Sequence, residues 1–152
     1  VLFAAAAKLG ACITSKSKKE KDALESYGKN LGLAFQIADD ALDYNSELKS
    51  FGKEIGNDFF EGKITLPIIL LYQKATKDEK KDLKYFFEKK ERTEVEFKKV
   101  LIIIKKYNII NECYKKAEYF INLASSSLSI FEDSNEKEIL KNLTSFSLER
   151  SF

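Results

Sequence analysis

The chain has 152 residues, of which 44% are hydrophobic and 33% are charged, so it carries enough apolar side chains for the core of a folded domain. Its 26 Lys and Arg nearly balance its 24 Asp and Glu, and the formal net charge is +2. This balance excludes a general electrostatic attraction to nucleic acid or to an anionic membrane, and we expect no nucleic-acid partner. No apolar run approaches the length of about 18 residues that a membrane span requires, so we expect no transmembrane segment.

The chain has no histidine and only two cysteines, which limits its chemistry. The absence of histidine excludes Ser-His-Asp and Cys-His catalysis within this chain, and also a zinc site built on histidine. Cys12 and Cys113 are too few to bind a metal by themselves and fall on different predicted helices. We therefore expect two thiols in a reducing compartment and a cytoplasmic location.

Helix formers dominate the composition, and helix breakers are few, with one Pro and six Gly. The apolar periodicity predicts a first helix over residues 2–13 and a long second helix over residues 20–44. Gly28 and Gly32 lie four residues apart on the second helix and predict a smooth face that another element can approach closely. The fold class predicted for the chain is all-α, a helical bundle or part of one.

The region after the second helix is predicted to be the main loop, over residues 45–62, because glycines and charged residues interrupt the apolar pattern. Thr65 then caps a short helix that has Pro67 in its first turn. Amphipathic helices are predicted over 77–90, 93–107 and 109–131, and a last one around 139–146. No repeat or linker divides the chain, so residues 1–152 are treated as a single domain or as part of a larger one.

Three aspartates, Asp39, Asp40 and Asp43, form the pattern Asp-Asp-x-x-Asp on the second helix. Spacings of three and four residues place them on one side of a helix, where three like charges repel. Oxygen ligands without nitrogen or sulfur favour Mg²⁺, which is usually bound together with substrate phosphates. The alternative is an acidic, solvated helix face without a ligand, but the apolar neighbours of the cluster favour the metal.

Two lysines and a further aspartate lie in the predicted loop or directly after it: Lys53, Asp58 and Lys63. Nearby glycines allow the backbone to approach a bound group, and lysines supply point charges for phosphate oxygens. A flexible, solvated loop is the alternative, because lysine is common throughout this chain. The loop lysines by themselves do not decide between the two interpretations.

The segment GLAFQIADDALDY (residues 32–44), followed by GKEIGND (52–58) and EGKITLP (61–67), strongly resembles the trans-type polyprenyl diphosphate synthases. It matches their second aspartate-rich motif and the loop after it, and the Ala-rich first helix resembles the helix before that motif. The resemblance extends over residues 1 to about 72. It implies the all-α isoprenoid synthase fold, a homodimer, and Mg²⁺-dependent head-to-tail condensation of isopentenyl diphosphate with an allylic diphosphate.

By position, the resemblance implies that Asp39 is a ligand of Mg²⁺ in this second motif. Asp40 and Asp43 would support the metal directly or through water, and Asp58 would lie in the outer metal shell. These four carboxylates are therefore the predicted metal-binding residues.

The resemblance also implies the residues that contact the substrate. Lys53 and Lys63 would bind the allylic diphosphate and act in catalysis by stabilising the departing charge. Phe35 and Gln36 would lie on the pocket side of the helix, near the reacting prenyl carbons.

The first aspartate-rich motif of the family, which lies upstream of this region, is not found in residues 1–152. The chain therefore resembles the C-terminal half of such an enzyme, and we expect it to need the upstream half and to be inactive alone. The alternative is a truncated remnant, or a non-catalytic subunit, of a prenyltransferase that lacks the first aspartate-rich motif. A general helical binding module with an incidental acidic patch is a third possibility, and the spacing of Lys53, Asp58 and Lys63 argues against it.

Overall fold

The computed structural model describes residues 1–45 and 55–149, with side chains through residue 145. Within these ranges the chain forms eight α-helices and one 3₁₀ turn, and no strand is present, which confirms the all-α prediction. The elements are α1 (Leu2–Ile13), α2 (Lys18–Leu42), α3 (Asn57–Glu61), α4 (Leu66–Lys74), α5 (Lys77–Glu88), α6 (Glu94–Lys106), α7 (Ile109–Ser127), the 3₁₀ turn Leu128–Ile130, and α8 (Asn135–Glu149).

Side-chain caps explain where several helices begin. Thr93 accepts a hydrogen bond from the backbone N–H of Glu96, and the Glu96 carboxylate accepts one from the backbone N–H of Thr93. This reciprocal capping box satisfies two N–H groups that a helix start leaves unpaired, and it confirms Thr93 as the predicted cap. Thr65 occupies the predicted capping position of α4, but its side chain makes no capping hydrogen bond.

Contacts divide the chain into two units, Val1–Ala38 with Lys115–Phe152, and Asp39–Tyr114. The core of the first unit joins α2 and α7 through buried side chains: Tyr27, Leu31, Ala34, Ala117, Ile121, Ala124 and Leu128. Helix α1 packs against the glycine face of α2, where a Cβ added to Gly28 would lie 2.3 Å from the backbone oxygen of Phe3. The smooth face predicted from Gly28 and Gly32 is thus confirmed.

The second unit contains α3 to α6 and has an aromatic core beneath α3. Phe59 is fully buried, and its ring centroid lies 5.4 Å from that of Phe97 and 5.5 Å from those of Phe60 and Phe87. This packing holds α3 against α5 and α6. Helix α3 falls within the predicted loop, so the prediction of an irregular loop over residues 45–62 is corrected for residues 57–61.

None of the described helices combines the length and the apolar composition that a membrane span requires. Cys12 is exposed on α1, Cys113 is buried in α7, and neither forms a disulfide.

Candidate functional site

The acidic cluster lies at the C-terminal end of α2. Asp39 and Asp40 are in the last turn of the helix, and Asp43 follows Leu42, with its backbone N–H 3.3 Å from the carbonyl oxygen of Asp39. A helix C-terminus carries negative partial charge, and no basic residue lies in this last turn. Carboxylates are therefore unfavourable at this position unless a cation binds beside them.

Asp43 reaches across to the beginning of α3. Its Oδ1 accepts hydrogen bonds from the backbone N–H groups of Gly56 and Asn57, each at 3.1 Å, and its Oδ2 accepts one from Asp58 at 2.8 Å. Gly56 adopts the left-handed conformation, with φ of +93°, that brings these three N–H groups together. The Asp43 carboxylate thus fixes the position of α3.

The pKa values of Asp43 and Tyr44 are both raised, first by burial and then by neighbouring acidic groups. Burial raises the pKa of Asp43, the charge of Asp58 raises it further, and the backbone hydrogen bonds oppose both effects. Burial also raises the pKa of the Tyr44 hydroxyl, with added contributions from Asp43, Asp58 and Asp40. Three of the four predicted metal-binding carboxylates therefore act electrostatically on one buried hydroxyl.

Lys63 lies two residues after the C-terminal end of α3. Its Nζ is 2.6 Å from a Glu61 carboxylate oxygen and 3.3 Å from Oδ1 of Asp58. The hydrogen bonds to Glu61 and then to Asp58 raise the pKa of Lys63, so its ammonium stays charged. Because the Lys63 side chain is 56% exposed, its Nζ can exchange these partners for an incoming anion.

The other residues predicted to contact substrate are Phe35, Gln36 and Lys53, and only the first two lie among the described residues. Phe35 and Gln36 belong to the first unit, where the ring centroid of Phe35 lies 5.6 Å from that of Phe3 and Gln36 is exposed. Their approach to prenyl carbons stays a prediction. Lys53, the first loop lysine, lies outside the described residues, so its role stays a prediction as well.

The donor set fits a metal ion that is shared with a ligand. Across residues 1–45 and 55–149, no three acidic or cysteine side chains are placed to enclose a metal ion between them. Mg²⁺ is usually bound through one or two carboxylates, several waters and substrate phosphates, and it rarely occupies an all-protein cage. Asp39 is exposed and Asp40 lies beside it, and their role as ligands of a metal shared with phosphates stays a prediction.

Arg92, in the turn between α5 and α6, is a residue near the site that the sequence did not indicate. Its guanidinium donates hydrogen bonds to the backbone oxygens of Phe60, at 3.3 Å, and Phe87, at 3.0 Å. A Cβ added to Gly62 would lie 2.4 Å from this guanidinium, and Gly62 also has a positive φ of +76°. In the sequence, Gly62 alone indicated a close approach at this point, and it did not indicate that Arg92 was the residue approaching.

Comparison with known proteins places the site in context. The family model described as Polyprenyl synthetase matches residues 1–104. The chain is 35% identical over 150 residues to the Short chain isoprenyl diphosphate synthase of Methanothermobacter thermautotrophicus. The aligned region covers 98% of this chain and 45% of that protein. It is 29% identical over 149 residues to the Octaprenyl diphosphate synthase of Escherichia coli, with 98% and 46% coverage.

Solved structures give the same result. The decaprenyl diphosphate synthase from Rhodobacter capsulatus matches 99% of this chain and 46% of its own, with a TM-score of 0.92 and 30% identity. The polyprenyl synthase from Caulobacter crescentus, complexed with calcium and isoprenyl diphosphate, matches 99% of this chain and 46% of its own. The TM-score is 0.89 and the identity is 34%. The chain spans about half the length of the curated relatives it matches.

Proposed function

The chain belongs to the polyprenyl synthetase family, and we propose that it forms the C-terminal half of a trans-type polyprenyl diphosphate synthase. In this proposal, residues 1–152 are the C-terminal part of a larger synthase domain. The reaction is the head-to-tail condensation of isopentenyl diphosphate with an allylic diphosphate, and it requires the upstream half of the same enzyme. The coverage of 45% and 46% of the relatives supports this division.

The observation that carries the proposal is the concentration of carboxylates at the C-terminal end of α2, where the helix adds negative potential. Such a site binds a divalent cation in preference to an anion, and the cation in turn attracts a diphosphate. We assign Mg²⁺ as this cation, held by Asp39 and Asp40, with Asp58 in its outer shell and Asp43 in support. When bound, Mg²⁺ would neutralise the charge that develops on the departing diphosphate.

Lys63 would contribute positive charge from this chain to the diphosphate. Its ammonium is shared between Glu61 and Asp58, and both contacts can open towards solvent because Lys63 is more than half exposed. A diphosphate oxygen would replace Glu61 as the partner of Lys63. Breaking this ion pair costs little free energy, because the Glu61 carboxylate is exposed and water solvates it afterwards. Lys53 would act alongside Lys63, and Phe35 and Gln36 would line the path of the prenyl chain.

The proposal extends to assembly and location. A second copy of the enzyme would complete a homodimer, and the upstream half would cover α1 and α2. A cytoplasmic location is consistent with two cysteines that form no disulfide.

Titration calorimetry with inorganic diphosphate, with and without Mg²⁺, tests the proposed site. We expect binding that requires Mg²⁺ and that Asp39→Asn weakens by more than about 100-fold, since a metal ligand is lost. Asp82→Asn, at an exposed position of α5, removes the same charge from the same unit and should leave the affinity unchanged. Equal binding by the wild type and Asp39→Asn would refute the assignment.

A further inference from the structure

The residues from Gly56 to Lys63, here called the α3 segment, carry both Asp58 and Lys63. The segment is held at its N-terminal end by Asp43, whose two carboxylate oxygens accept three backbone N–H groups. The backbone oxygen of Asp43 accepts a further hydrogen bond from the Gly56 N–H at 2.8 Å. A side-chain carboxylate thus occupies the place that an anion takes at a helix start.

The C-terminal end of the α3 segment is held by Arg92. The guanidinium joins the backbone oxygen of Phe60, in α3, to that of Phe87, in α5. It also lies over the Phe87 ring, 5.5 Å from the centroid, so its direction is fixed by packing as well as by hydrogen bonds. Gly62 is the point of closest approach, because any side chain there would collide with the guanidinium.

The backbone contacts of Asp43 leave its carboxylate little capacity for a ligand. A carboxylate accepts about four hydrogen bonds, and Asp43 already accepts three from the backbone of α3. The Arg92 guanidinium donates to two carbonyl oxygens, and its Nε is buried without a hydrogen-bond partner among the described residues. Asp43 is thus directed at the backbone of the α3 segment, and Arg92 joins that segment to α5.

We infer that Asp43 and Arg92 are positioning residues that clamp the two ends of the α3 segment and thereby set the positions of Asp58 and Lys63 for the metal and the diphosphate. The inference rests on the proposed function of the site. It assigns Asp43 an indirect role: the carboxylate orders the segment, and Asp39 and Asp40 face the metal. It assigns Arg92, which lies beyond the aspartate-rich motif and its loop, a role in the same site.

The test uses residues 1–152 and two readouts for each variant. Hydrogen exchange of the backbone amides of residues 56–58 reports whether the segment is held, and calorimetry with Mg²⁺ and inorganic diphosphate reports the site. For Asp43→Asn we expect exchange of these amides to accelerate by about tenfold or more, and diphosphate affinity to fall by about 10- to 100-fold. For Asp39→Asn we expect unchanged exchange and complete loss of binding.

Arg92→Lys tests the other end of the clamp. Lysine retains the positive charge but cannot reach two carbonyl oxygens in a fixed fork, so we expect weaker diphosphate binding by about tenfold. Ile104→Ala, which removes a buried side chain two turns along α6 from Phe97, is the control for lost stability. It should leave both the amide exchange of residues 56–58 and the diphosphate affinity unchanged under native conditions.

Two results would overturn the inference. One is loss of diphosphate binding in Asp43→Asn as complete as in Asp39→Asn, with amide exchange unchanged, because Asp43 would then be a direct ligand. The other is an effect of Ile104→Ala on binding equal to that of Arg92→Lys, because general stability would then explain both. Failure of the wild type to bind diphosphate would refute the proposed function, while the exchange data would still show whether Asp43 holds the segment.

Discussion

The carboxylate of Asp43 lies 2.8 Å from the backbone nitrogen of Asp58, although 15 positions of sequence separate the two residues. This hydrogen bond joins the acidic end of α2 to the segment that carries Lys63. The aspartate-rich motif and the beginning of α3 therefore form one structural unit, in which carboxylates and an ammonium converge.

In the proposed site, Lys63 would contact the diphosphate. We expect Lys63→Gln to weaken Mg²⁺-dependent diphosphate binding by about tenfold, the value of one charge-assisted hydrogen bond. Lys84→Gln, at an exposed position of α5, removes the same charge and is the matched control. The measurement is the dissociation constant from calorimetry, and equal values for the two variants would contradict a specific role for Lys63.

The contact between α1 and α2 predicts a difference between two glycines. Gly28→Ala places a Cβ 2.3 Å from the backbone oxygen of Phe3, and forced overpacking of this kind lowers the free energy of unfolding by about 1–3 kcal/mol. At Gly10, in α1, nothing lies within 4 Å of an added Cβ. Gly10→Ala should therefore raise the free energy of unfolding by up to about 1 kcal/mol through helix propensity.

Urea denaturation of the two glycine variants measures both changes. Destabilisation of the same size in Gly10→Ala and Gly28→Ala would contradict the close approach of Phe3 to α2.

Glu79 makes the stability of the second unit depend on pH. Hydrogen bonds from Lys106 first, and then from the backbone of Thr76 and the Tyr107 hydroxyl, lower its pKa from 4.5 to about 2. The ionised form is thus favoured in the folded state, and its contribution to the free energy of unfolding is complete above pH 4.5. That contribution is lost as the pH falls from about 4.5 towards 2.

We therefore expect Glu79→Gln to be less stable than the wild type at pH 7, with a difference that shrinks below pH 4.5 and disappears near pH 2. Glu118→Gln, on the exposed surface of α7, controls for the general effect of losing one acidic residue. Thermal or urea unfolding across this pH range is the measurement. A difference that stays constant down to pH 2 would show that the carboxylate charge is not involved.

Helix α1 exposes a row of large apolar side chains. Leu2 is 79% exposed, Leu9 60% and Ile13 76%, and spacings of seven and four residues place them on one face. We expect residues 1–152 to self-associate when purified alone, because this face has no cover within the described chain. The double variant Leu9→Lys and Ile13→Lys should shift the molar mass towards that of a monomer in light scattering.

A monomeric wild type with a sharp, cooperative thermal transition would contradict the expected self-association.

Helices were predictable from sequence where apolar periodicity and capping residues agreed. Helix α1 has the predicted bounds, and the Thr93 cap fixes the start of α6. Helix α3 was not predicted, because five residues are too few to show a helical period and because glycines flank it on both sides.

The site was predictable only in part, for a related reason. Spacing along one helix indicated the aspartate cluster, since positions three and four apart share a face. The hydrogen bonds of Asp43 to α3, and those of Arg92 to Phe60 and Phe87, depend on tertiary packing of distant segments. No local pattern encodes such contacts, and Gly62 by itself did not indicate that Arg92 would be its neighbour.

In this account, residues 1–152 form half of an enzyme and carry a working diphosphate site. The most direct test measures both the binding of farnesyl diphosphate and the incorporation of isopentenyl diphosphate. Residues 1–152 are mixed with Mg²⁺, farnesyl diphosphate and labelled isopentenyl diphosphate, alongside the Asp39→Ala variant. We predict Mg²⁺-dependent binding of farnesyl diphosphate that Asp39→Ala abolishes, and no incorporation of label until the upstream half is supplied. Incorporation by residues 1–152 alone, or binding that Asp39→Ala leaves unchanged, would contradict this account.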